Sequence, residues 1–171
     1  MNLVHAVIAV AAFTAISRAG SPTDEPTFRP LDTRTRCIVL FCEALVLIAK
    51  KDVDGILANI ADGGAPGTFR LYPDRVSLSP DLKREIQDVD QFLKHNFLHS
   101  ESLHRKFNEI LFSDLQTAKE TVTVKDMAAA KEHKAQLHVI NVKLQDIDDR
   151  RFSELRFVEV DGRLYWVPFG W

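Results

Sequence analysis

With 171 residues, 46% of them apolar, the chain is the length of one domain with a full core and too short for several. Its 22 basic residues nearly balance its 24 acidic ones, for a net charge of −2, and neither sign forms a long block. That distribution speaks against nucleic acid as a partner.

Leu3 to Ile16 is almost wholly apolar and runs into Ser17-Arg18-Ala19 and Gly20-Ser21-Pro22. Small residues then occupy the positions a signal peptidase inspects, so residues 1–19 are expected to be a signal peptide cut after Ala19, and the protein to be secreted or periplasmic. The run is shorter than the ~20 residues that span a bilayer, so no stable membrane span is expected. Its first residues hold His5 but no Lys or Arg, and a buried amino-terminal helix is the competing reading. Pro22, Pro26 and Pro30 make residues 20–31 a linker, leaving 32–171 as a single α+β domain.

Asp32 can cap a helix that runs to Ala49 and is apolar on most of its circumference, as expected of a helix held in the concavity of a curled sheet. Cys37 and Cys42 lie five apart on it, ~8–9 Å between Cα atoms, beyond disulfide reach, and read as two small buried hydrophobes. After Lys50-Lys51-Asp52 the apolar spacing restarts at Val53, Ile56, Leu57 and Ile60, a second helix that Asp62-Gly63-Gly64 ends as a turn. Thr68 to Tyr72 alternates like a short strand. Ser79-Pro80-Asp81 then opens a helix whose face carries Leu82, Ile86, Val89, Phe92 and Leu93, with a break expected near His99 to Ser102 and the pattern resuming at Leu103, Phe107, Ile110 and Leu111.

From Thr121 the chain reads as strands: Thr121 to Val124, a turn at Lys131 to Lys134, a long strand over Gln136 to Leu144, and a terminal hairpin. Asp161-Gly162 suits a two-residue type I′ turn, which sets Val160 opposite Arg163, Glu159 opposite Leu164, Val158 opposite Tyr165 and Phe157 opposite Trp166. One face of that hairpin then carries Leu155, Phe157, Leu164 and Trp166, and the other Val158, Val160, Tyr165 and Val167. Both are apolar. If helices cover the first, the second calls for a homodimer partner or for the chain's own linker. The fold expected is α+β, with amino-terminal helices packed in a curled antiparallel sheet of about four strands that ends in the hairpin.

The paired helices Cys37 to Ala61, with Lys51-Asp52-Val53-Asp54 at their junction, and the run Phe157-Val158-Glu159-Val160-Asp161-Gly162-Arg163-Leu164-Tyr165-Trp166 resemble the nuclear transport factor two-like superfamily. The resemblance spans roughly Asp32 to Trp171 and implies a cone-shaped α+β fold of the cystatin-like kind. Isomerases and dehydratases of that superfamily hold an Asp or His base and Tyr or Asp donors in an apolar cone, where desolvation raises a carboxyl's pKa. Tyr72, Asp90, His138, Tyr165 and Trp166 are the pocket candidates here, none of them aligned with a family catalytic position. Against that stand the plainer readings of Tyr165 as a packed aromatic and His138 as a satisfied strand histidine.

No cofactor or metal is expected. His95, His99, Glu101 and His104 crowd together, but Asn96 stands where a zinc peptidase would carry its Glu, and no Gly-rich phosphate loop or Gly-X-Ser-X-Gly elbow occurs. The function expected is an exported, non-catalytic binding or interaction domain with a pocket for a small apolar ligand. The alternative is a small isomerase or dehydratase using a carboxylate or His in the cone. An open cavity with a desolvated Asp, Glu or His on its floor favours the enzyme; a cone filled by Phe41, Leu45, Phe157 and Trp166 rules out that site.

Overall fold

Helix α1 (Thr33–Ala49) opens on the side chain of Asp32, which accepts from the Thr35 N–H at 3.0 Å. The computed structural model describes residues 30–63, 67–72, 75–97, 109–144 and 154–168. The expected leader at 1–19, most of the linker, and the positions of His99, Glu101, Leu103, His104 and Phe107 lie outside them, as does the His95 side chain. Lys51, at φ 56°, turns the chain out of α1, and the Asp52 carboxylate caps α2 (Val53–Asn59) by accepting from the Gly55 N–H at 3.0 Å. A Cβ on Gly55 would stand 2.7 Å from both that carboxylate and Leu47, so this acidic joint requires glycine. Strands β1 (Asp62–Gly63) and β2 (Thr68–Leu71) follow, then α3 (Pro80–Glu85), capped by Ser79.

The long helix expected from Pro80 breaks well before His99. Asp88 caps a new helix, α4 (Val89–Asn96), by accepting from the Gln91 N–H at 3.0 Å, while Gln87 closes onto Arg84 O in a tighter turn. Strand β3 (Ile110–Asp126) also begins earlier than Thr121, so Ile110 and Leu111 belong to the sheet and not to a resumed helix. The turn before β4 (Lys131–Leu144) is Met127 to Ala130, not Lys131 to Lys134. Asp126 makes it by accepting from the Ala128 and Ala129 N–H groups, both at 2.9 Å, so a stretch of good helix formers supplies only one bend. The hairpin β5 (Glu154–Val160) and β6 (Arg163–Val167) has the expected register, with Asp161 and Gly162 at φ 49° and 81°.

The sheet has six strands in the order β1 to β6, not about four, and it is mixed: β2 runs parallel to β3 while the other pairs are antiparallel. Two register shifts bend β3 against β4, between Phe112 and Leu115 and between Thr117 and Thr121. Arg34 on α1 secures the first by donating to the Phe112 and Ser113 carbonyls at 3.0 and 2.9 Å. The sheet's two edges meet on one segment. Ile60 pairs with Trp166 and the Ala61 N–H donates to Trp166 O at 2.8 Å, while the next two residues form β1 and pair with β2.

That closure reassigns the helices. Leu155, Phe157, Leu164 and Trp166 pack with Phe41, Leu45 and the other helical side chains on one face. The opposite face curls onto itself, and Leu71, Val124, Ala135, Val158, Val160 and Val167 form a second cluster built from the strands with Ala61. The helices therefore cover the sheet from outside this inner cluster instead of filling its concavity. Val158, Val160 and Val167 are buried within one chain, and among the described residues they pack with Leu71, Val124, Ala135 and Ala61.

Candidate functional site

On the helix face, the segment that joins the two sheet edges carries a buried acid. Asp62 is 6% exposed, accepts from the Tyr72 hydroxyl at 3.2 Å, and has Arg70 Nη1 at 3.9 Å. Burial pushes its carboxyl above the ordinary range, opposed by the Tyr72 hydrogen bond and the Arg70 charge. Asp62 lies two residues past Ile60, the partner of Trp166, so strand alternation puts Asp62 and Trp166 on the same face, on neighbouring segments. Trp166 packs edge-on against Phe41, centroids 5.4 Å apart, and tilts over Phe97 at 5.7 Å. Two polar atoms here, Asp62 Oδ1 and Trp166 Nε1, are buried and have no hydrogen-bond partner among the described residues. One can accept and the other can only donate.

Of the residues singled out from sequence, Tyr72 and Trp166 belong to this site. Asp90 does not; it is exposed on α4 and pairs with Lys51. Tyr165 sits on the opposite face, half-buried, with the Arg163 guanidinium 5.0 Å from its ring centroid. His138 shares the helix face but is held in a separate line of hydrogen bonds, between Thr117 and Glu159. Asp62 itself was missed, because Asp before Gly-Gly reads as a turn; the signal was its even spacing from Ile60. Both discriminating features coexist: Phe41, Leu45, Phe157 and Trp166 are buried in one cluster, and a desolvated acid lies at its border.

The cysteines are free thiols, Cys37 buried and Cys42 half-buried, each pushed up to about 12 by burial. Among the described residues no group of three or more His, Cys, Asp or Glu is placed to hold a metal, and no helix is long and apolar enough to cross a membrane.

The raised Asp62 value has a sign that can be measured. Below the ordinary carboxylate range Asp62 is protonated in both folded and unfolded chains, and its burial costs little. As pH rises toward the raised value, the unfolded chain ionises first and stability is lost. Asp62→Asn is expected to unfold at higher urea than the parent near neutral pH, with the gain shrinking to nothing in acid. A gain that did not change with pH would place the effect elsewhere. No family model, curated protein or solved structure matches the chain.

Proposed function

We propose that the chain is an exported binding domain of the nuclear transport factor two-like kind, taking a small, mostly apolar ligand at the border of the helix–sheet core. The observation that carries this reading is the pair of buried, unpartnered atoms, Asp62 Oδ1 and Trp166 Nε1, amid apolar neighbours. An apolar molecule with one polar handle supplies the missing partners and loses little by leaving water. No second copy is needed for it, since the strand face that suggested one is buried within the chain.

Native mass spectrometry of the secreted protein tests the reading. The expected species begins at Gly20 and carries a small molecule, and Trp166→Phe, which removes the N–H donor along with part of the ring, weakens retention at least roughly tenfold, the worth of about one hydrogen bond or more. A bare chain that also fails to bind an apolar fluorescent probe would end the proposal. The raised carboxyl of Asp62 beside the Tyr72 hydroxyl favours one second reading, an isomerase or dehydratase with Asp62 as base. In that case Asp62→Asn retains the ligand and abolishes turnover.

A further inference from the structure

A line of four side chains crosses the same sheet face and uses none of Asp62, Tyr72 or Trp166. Arg36 on α1 donates to Glu159 Oε1 at 2.9 Å, Glu159 Oε2 lies 3.2 Å from His138 Nε2, and His138 Nδ1 lies 3.0 Å from Thr117 Oγ1. Although burial acts in the other direction, hydrogen bonds from Arg36 and His138 hold the Glu159 carboxyl below its ordinary range. An ionised carboxylate only accepts, so His138 Nε2 carries the proton. In a neutral imidazole Nδ1 is then an acceptor, and the Thr117 hydroxyl must donate into it. The donors therefore all point one way, hydroxyl to imidazole and imidazole to carboxylate, and the imidazole is free to take the hydroxyl proton on Nδ1.

Burial divides the line as such chemistry requires. His138 is 5% exposed, whereas Thr117 at the other end is exposed. Thr117 is also the last residue before a bulge: β3 takes four residues to reach Thr121 while β4 takes two from His138 to Gln136. Ala118, Lys119 and Glu120 have no register partner on β4, β2 pairs with β3 only from Thr123 onward, and the Gln136 side-chain amide donates to Ala118 O across the bulge. A bulge re-aims the side chains beside it and leaves its extra residues outside the regular ladder.

We propose that Thr117 is a base-activated nucleophile that takes the acyl group of a small ester, with His138 as general base and Glu159, steadied by Arg36, as a positioning residue. Thr117 Oγ bonds to the ester carbonyl carbon as its proton passes to His138 Nδ1. The carbonyl oxygen takes up the negative charge, and the bulge N–H groups are the donors for it. Collapse breaks the bond to the leaving alcohol, which takes the proton back from His138. Water then attacks the acyl-threonine by the same route, releasing the acid and restoring the hydroxyl.

The test is the full chain incubated with p-nitrophenyl acetate, followed by nitrophenolate release and by peptide mapping. One acetyl group is expected on Thr117, with release lowered on the order of 10²-fold in Thr117→Ala and in His138→Gln, and retained in Thr117→Ser. Glu159→Gln is expected to lower kcat for release with KM unchanged, and Glu159→Asp to restore part of it, a pattern that mere loosening of the strand would not produce. Acetyl groups on lysines only, or release unchanged in Thr117→Ala, would overturn the proposal. Thr117 is exposed, so that variant decides the matter even if His138→Gln fails to fold. Loss of this activity would leave the ligand reading at Asp62 and Trp166 untouched.

Discussion

Val158→Lys is expected to abolish cooperative folding. Val158 is 0% exposed, lies between Leu137 and Tyr165 on the neighbouring strands, and faces a cluster whose described members, Ala61, Leu71, Val124, Ala135, Val160 and Val167, are all apolar. An uncompensated buried charge costs about 3–5 kcal/mol, a large part of the ~5–15 kcal/mol that holds a domain together. Circular dichroism during urea titration should show a transition that is broadened or already complete in water. A soluble, normally melting variant with altered oligomeric state would mean instead that this face meets a second subunit.

Phe41→Ala should cost about 3–5 kcal/mol. The ring is fully buried on α1 and stands edge-on to both Phe112, at 6.4 Å, and Trp166, at 5.4 Å, so its removal empties the space between helix and sheet. The urea midpoint measures the loss, with Cys42→Ala, a half-buried change on the same helix, as the smaller comparison. A shift worth less than about 1 kcal/mol would show that α1 is not the element on which the outer face rests.

Local chemistry was legible from residues alone wherever it overrides context. Asp32 and Ser79 announce helix starts because a short acceptor side chain satisfies N–H groups that the helix leaves open, whereas Asp52, read only as the end of an apolar run, caps α2 in the same way. Asp161-Gly162 announced the register of β5 and β6 because few pairs tolerate two positive φ angles. What the residues did not disclose is long-range. The pairing of β2 with β3 and of Ile60 with Trp166 joins segments far apart in the chain, and no local pattern encodes it. Without that closure Val158 looked like a surface in need of cover. Ile110 to Ala118 reads poorly as strand because Asp114, Gln116 and the bulges interrupt its alternation. The candidate site suffered in the same way: Tyr72 and Trp166 stood out as aromatics, but Asp62 acquires its burial only when the two edges meet.

The join at Ile60 to Gly63 also bears on the order in which the molecule assembles. The β3–β4 and β5–β6 ribbons link neighbouring stretches and can form early, whereas the contact of Ala61 with Trp166 must enclose nearly the whole domain in one loop. Such a clasp shuts last, after its loop entropy has been met by contacts already made, and it sets a slow step that tracks chain topology more than local propensity. Until it shuts, the valines of the inner cluster face water, and that interval is when the chain is most exposed to aggregation.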